Sequence, residues 1–220
     1  MTKKIWSREA DADVADATPR LRPRERIVTT AEDLFHRYGI RGVGVEAIAE
    51  AAGTNKMTLY RHFGSKDDLV VEYLNCKGKK SDEVWAEIEA ANPGDPIGQL
   101  LHFVRKAAQF IAEDERGCDL ANAALELSQT DHPARRVIEE FKAQHRARLA
   151  NICRAAGATQ PEILADALSL LIEGARVNRR SLGAGGPSAT LVPACEAMIA
   201  SFGVDLTGRR SGPPTGGATT

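Results

Sequence analysis

Between residues 24 and 202 the apolar residues recur almost throughout at helical spacing, and strand-like alternation is hard to find. Ile27, Ala31, Leu34, Phe35 and Tyr38 form one stripe of a helix that Gly39 stops. Short helices follow over Val45–Ala52, closed by Gly53, and Lys56–Phe63, opened by Asn55 as a cap and closed by Gly64. Ser65 and Asp68 have capping-box spacing, which starts a long helix reaching Ala91. Asp95 and Pro96 open another that reaches Glu113. Further helices are expected over Asp119–Ser128 and Pro133–Ala156. Thr159 with Glu162 offers a second box for a helix ending near Ser181, and a last one covers Ser188–Phe202. The expectation is an all-α fold of about nine helices.

The flanks differ in composition. Residues 1–22 lack apolar periodicity and read as a flexible arm, and residues 207–220 read as a Gly/Pro/Ser/Thr tail. Between them the expected division is a DNA-binding unit over 23–68 and a larger sensing and dimerisation unit over 69–206.

The pair Val45–Ala52 and Lys56–Phe63 is the most specific feature. Helices this short cannot hold themselves up. Val45, Ile48 and Ala49 can pack on Leu59 and Phe63, with the helix before them closing the core through Leu34, Phe35 and Tyr38. Gly53 suits a positive-φ turn between them. Such a three-helix unit lays its last helix in a major groove. Charge agrees. Residues 20–66 hold nine Lys/Arg against five Asp/Glu, an excess of four positive charges in a chain whose formal net charge is −1. That asymmetry suits phosphate attraction at one end. At helical spacing Thr58, Arg61 and His62 share a face opposite Leu59 and Phe63. Arg pairs bidentately with guanine, and a Thr methyl can touch thymine.

The run Ala47-Ile-Ala-Glu-Ala-Ala-Gly-Thr-Asn-Lys-Met-Thr-Leu-Tyr-Arg-His-Phe-Gly-Ser-Lys-Asp-Asp-Leu69 resembles the N-terminal signature of the TetR/AcrR family of transcription regulators. The resemblance is strong over residues 24–74 and rests beyond that on helical layout and length. It implies a recognition helix over Lys56–Phe63, with Lys56, Met57, Thr58, Arg61 and His62 at or near the groove and Tyr60 and Lys66 on phosphate; by the reading of the residues themselves, Asn55 caps that helix, whose N-terminus favours phosphate. Where the family usually places a phosphate-holding Ser or Thr, this chain has Val43-Gly44, which leaves the Gly44 backbone N–H as the substitute. The resemblance also implies a homodimer on a palindromic operator in double-stranded DNA, and a ligand-sensing domain.

Beyond the resemblance, Glu162–Arg180 is apolar on more than one face, and Ser188–Phe202 is apolar nearly all round with Glu196 as its one charge. A helix of this kind must be buried on most sides, and two-fold pairing of both helices makes a four-helix bundle. The expected interface is Leu164, Leu168, Leu171, Leu191, Cys195, Met198 and Phe202. A pocket for a small apolar or amphipathic effector is expected from Trp85, Phe103, Phe110, Leu125, Phe141 and Ile172, with Asn122, His145, Glu173 and Arg176 as polar groups. Glu173 and Arg176, three apart, can also pair with each other.

Other classes fare poorly. No hydrolase, zinc-protease, P-loop or dinucleotide motif stands in context, so neither an enzyme nor a cofactor is expected. Cys76, Cys118, Cys153 and Cys195 have no close ligand spacing, so no metal is expected. They leave a redox-responsive regulator as the alternative, beside a helical interaction protein without an effector. No apolar run is long enough to span a membrane, and a cytoplasmic protein is the expectation.

Overall fold

The computed structural model describes residues 21–114, 116–127 and 131–207, so all but the first residue of the expected tail, and all but the last two residues of the expected arm, lie outside the described residues. Among the described residues there are nine α-helices and no strand: α1 (Pro23–Tyr38), α2 (Val45–Ala51), α3 (Lys56–Phe63), α4 (Lys66–Ala91), α5 (Pro96–Glu113), α6 (Asp119–Glu126), α7 (Ala134–Ala155), α8 (Pro161–Leu182) and α9 (Leu191–Ser201). The stretch Pro187–Thr190, expected as the start of the last helix, is a 3₁₀ turn that feeds α9.

Local chemistry sets most of these ends. The Asn55 side chain accepts from the Thr58 N–H at 2.9 Å, and Asp95 accepts from Gly98 at 3.1 Å with Pro96 as the first helical residue. Ser65 Oγ accepts from the Asp68 N–H at 3.0 Å and donates to the Asp68 carboxylate at 2.7 Å, a side-chain version of the expected box. The second expected box does not form. Gln160 precedes α8 without a side-chain cap, and Thr159 instead donates to the Phe202 carbonyl at 3.0 Å, tying the start of α8 to the end of α9. Gly53 has φ +62°, and a Cβ there would meet nothing within 4 Å, so the tight turn, not crowding, requires glycine there.

Two cores result. The first joins α1, α2 and α3 through Ile27, Phe35, Ile48, Leu59 and Phe63, then continues into Leu69, Tyr73 and Leu74 of α4 and Leu120 and Ala123 of α6. Packing therefore does not pause at residue 68; α4 belongs to both ends of the molecule. The second core gathers α4, α5, α7, α8 and α9 around Ile88, Leu100, Val104, Leu149, Leu164, Leu168 and Ile199. Within it α9 carries Glu196, nearly buried, 3.7 Å from Arg105 on α5. No helix among the described residues is long and apolar enough to cross a membrane.

Candidate nucleic-acid interface and ligand cavity

The sequence of α3 sorts its side chains by face. Leu59 and Phe63 go inward at 0% and 7% exposure, while Met57 is 80% exposed and Lys56, Tyr60, Arg61 and His62 also face outward; Thr58 is half-buried. The Arg24 guanidinium lies 5.2 Å above the Phe63 ring and pairs with Glu72 at 3.0 Å, which fixes α3 against α1 and α4. Lys56 pairs with Glu46 of α2 and lies over the Tyr60 ring at 5.8 Å, so part of its charge is answered within the protein. Gly44 caps α2 in an extended conformation, exposed and without a side-chain cap.

Lys66 stands apart from the other residues expected at DNA. Its ammonium donates to the Ile40 carbonyl at 2.6 Å and lies 6.0 Å from the Phe35 ring centre. Burial lowers its pKa, against the opposing influence of Asp67 and Glu126. It therefore clasps the turn between α1 and α2, a role that no local sequence signal announced.

In the second core α4, α5, α7 and α8 leave a cavity of about 790 Å³. Of the expected pocket residues, Phe103, Phe110, Phe141, His145, Ile172, Glu173 and Arg176 line it. Three do not. Trp85 lies behind Phe103, stacked on it at 4.7 Å. Leu125 is 81% exposed on the short helix α6. Asn122 donates to the Arg116 carbonyl at 2.8 Å, holding the turn before α6. The stripes on α5, α7 and α8 were readable from spacing, whereas the orientation of α6 was not.

Glu173 and Arg176, which could have paired with each other, do not. Glu173 takes Lys142 of α7 at 2.6 Å, and the Arg176 Nε is buried without a partner. His145 sits among aromatic rings, 5.5 Å from Trp85, 5.7 Å from Phe103 and 5.9 Å from Phe141, with its Nδ1 also unpartnered. Burial, helped by Lys142, Arg148 and Arg176 and opposed by Glu173, lowers its pKa to about 4, so the ring is neutral at neutral pH.

Cavity and α1 share a wall. Asp114, Asp119 and Lys77 line the cavity. His36 of α1 meets Asp119 at 2.6 Å and Asp114 at 3.1 Å, and Lys77 meets Asp119 at 2.9 Å. Burial alone would raise the Asp119 carboxyl; hydrogen bonds from Lys77, His36 and Tyr73 more than offset it and hold the pKa below the usual range. Glu126 of α6 adds a second tie by accepting from the Arg41 N–H at 2.9 Å.

Four of the expected dimer residues need correction. Leu164, Leu168, Leu191 and Cys195 are 0–3% exposed in the chain's own core, and Leu171, Met198 and Phe202 are half-buried against it. A helix with two apolar faces does not say in its sequence which one its own chain takes. The face left open on α8 carries Ile163, Leu170 and Val177, at 54%, 74% and 66% exposure. Their seven-residue spacing puts them on one face of the helix.

The cysteines gain no reactive setting. Burial pushes Cys153 and Cys195 up to about 12 and raises Cys76, so none of these three is a ready thiolate. Cys118 is half-buried at the cavity edge.

Known proteins bear out the resemblance. The family model for bacterial regulatory proteins of the tetR family matches residues 27–73. The helix-turn-helix regulator AcrR of Shigella flexneri is 30% identical over 93 residues, covering 42% of this chain and 43% of that protein. LmrA of Bacillus subtilis is 31% identical over 121 residues, covering 53% of this chain and 63% of that protein. The chain thus matches about half the length of such curated relatives. Solved structures extend the likeness. A TetR-family transcriptional regulator from Streptomyces coelicolor superposes with a TM-score of 0.74 at 25% identity, covering 82% of this chain and 95% of that one. A TetR-type regulator from Streptomyces avermitilis superposes at 0.68 with 30% identity, covering 84% of this chain and 100% of that one. With α3 packed on α1 and α2 at one end, a helical cavity at the other and likeness running through both, the chain belongs to the TetR/AcrR family of transcriptional regulators.

Proposed function

We propose that this chain is a homodimeric repressor that grips a palindromic operator through α3 and lets go when a small amphipathic effector fills the cavity between α4, α5, α7 and α8. The observation that carries the DNA half is the outward face of α3, where Met57, Arg61 and His62 stand free of the core that Leu59 and Phe63 anchor. Charge and an apolar contact on one exposed helix face are what base edges in a major groove require. Gly44 and Asn55 sit beside that face at the starts of α2 and α3, with Thr58 and Tyr60 at its margins.

The release half is supported by the wall shared between cavity and α1. An effector that binds better when Asp114 and Asp119 have moved loosens the His36 contacts, and with them the angle at which α1 to α3 meet DNA. It shifts the equilibrium only by its preference for that state. The Ile163, Leu170 and Val177 face of α8, with the exposed Ala194 and Ala197 of α9, is the surface on which a second copy packs.

Arg61 and Lys66 test the assignment by their contrast. Arg61→Ala should cost about 1–3 kcal/mol on the preferred duplex and relax preference at one position of each half-site. Lys66→Ala should weaken all duplexes alike. Because that ammonium holds the Ile40 carbonyl, it should also lower the Tm, which Arg61→Ala should leave unchanged. Binding of both variants to duplex series over a range of salt, with thermal melts, checks this. Equal and sequence-blind losses for the two would contradict the division of roles.

A further inference from the structure

Charges in the cavity wall are answered in pairs, with one exception. Lys77 has Asp119 at 2.9 Å, Lys80 has Glu32 at 2.6 Å, Lys106 has Glu87 at 2.9 Å and Lys142 has Glu173 at 2.6 Å. Arg146 holds Asp166 with two hydrogen bonds. Arg176 has no carboxylate among the described residues, and its Nε is buried without a partner. The acid nearest to it in sequence, Glu173, is already taken by Lys142. A guanidinium is all donor and always charged; Arg176 is half-buried, and holding its Nε away from water without an acceptor is costly. A built wall that answers its other cations and leaves this one open calls for an acceptor from outside the chain.

The rest of the wall says what that acceptor is attached to. Phe103, Phe110, Phe141 and Ile172 supply apolar surface, and Phe103 is backed by the stacked Trp85, which stiffens it. The His145 imidazole contributes a second open hydrogen-bonding atom without charge. A volume of about 790 Å³ suits a molecule well beyond a single ring. One open guanidinium answers one negative charge. A phosphate monoester would bring nearly two, and the other cations are engaged.

We propose that the cavity binds an amphipathic organic acid, its carboxylate on the Arg176 guanidinium and its apolar body against the rings of Phe103, Phe110 and Phe141. The carboxylate matches the planar fork of the guanidinium, and the neutral His145 can hydrogen-bond the same head group. The inference rests on the effector reading above and supplies its ligand class.

The test compares naphthalene-, anthracene- and pyrene-carboxylates with their neutral carboxamides, which keep the ring and remove the charge. Each is titrated by its own fluorescence into the full-length dimer at about pH 7.5, into wild type and into Arg176→Met and Arg176→Lys. Circular dichroism confirms that each variant is folded, and Arg176→Lys serves if Arg176→Met is not. At least one carboxylate should bind about tenfold or more tighter than its amide. Arg176→Met should abolish that advantage and leave amide binding unchanged, and Arg176→Lys should keep only part of it. Equal binding of acid and amide to wild type overturns the proposal, as does an advantage that survives Arg176→Met undiminished. Release from a selected duplex is read in the same samples. Acid and amide that bind equally and both release DNA would sink the acid assignment and spare the effector reading. Acids that bind through Arg176 without releasing DNA would do the reverse. If neither series binds the folded protein, both fall.

Discussion

A chain carrying Ile163→Glu and Val177→Glu should sediment as a folded monomer and lose operator affinity by about a hundredfold or more. Both side chains lie on the open face of α8, 54% and 66% exposed, with Leu170 midway between them. Neither contributes to the chain's own core, so the change should spare the Tm of the isolated fold while placing four like charges across a two-fold contact. A palindromic site read by one recognition helix in place of two forfeits half its contacts, which accounts for the size of the loss. Leu191→Glu is the control. Leu191 is 3% exposed inside the core, so an unpaired charge there should unfold the chain instead of splitting a dimer. Analytical ultracentrifugation with circular dichroism separates the outcomes. Persistence of a dimer in the α8 variant would place the interface elsewhere.

The second large effect concerns pH. His145 has its pKa lowered to about 4, chiefly by burial, then by Lys142, Arg148 and Arg176, while Glu173 pulls the other way. In the unfolded chain an ordinary histidine titrates near 6.5. Between these values the unfolded state holds a proton that the folded state refuses, so acid favours unfolding. The contribution of neutral His145 to stability is intact above about pH 6.5 and is lost as the pH falls toward 4. From about pH 7.5 to 4.5 the loss is on the order of 2–3 kcal/mol. His145→Gln removes the titration and keeps a polar side chain. Denaturant unfolding of both proteins across that range should show wild type losing that much more than the variant. Parallel pH profiles would mean that the ring charges freely where it sits.

The fold was legible wherever a residue type fixes its own backbone or a stripe its own face. Asn55, Ser65, Asp95 and Gly53 set ends and turns through bonds within a few residues of themselves, so spacing alone revealed them. Thr159 had the same spacing and a different fate, because the Phe202 carbonyl, distant in sequence, competed for its hydroxyl. The exposed face of α3 followed from helical period, since Leu59 and Phe63 define what lies opposite. The cavity was half legible for a related reason. Phe103, Phe141, His145 and Ile172 lie on inward stripes of long helices, but Leu125 and Asn122 lie on α6, whose eight residues give too little pattern to orient it. What stayed hidden were pairings between distant segments. His36 with Asp119, Lys66 with Ile40 and Lys142 with Glu173 join charges to partners that no local rule connects. Those pairings also decide which cation in the cavity is left open.

Binding-site selection shows whether α3 reads DNA. The full-length protein is incubated with a random duplex pool at moderate salt, bound duplexes are recovered and sequenced, and the enriched site is footprinted. The expected result is an inverted repeat whose half-sites are centred about one helical turn apart, protected on one face, with an affinity that falls steeply with salt and, for Arg61→Ala, weaker enrichment that has lost its preference at one position of each half-site. No enriched duplex, or the same enrichment with Arg61→Ala, would contradict the assignment of α3 as the helix that reads DNA.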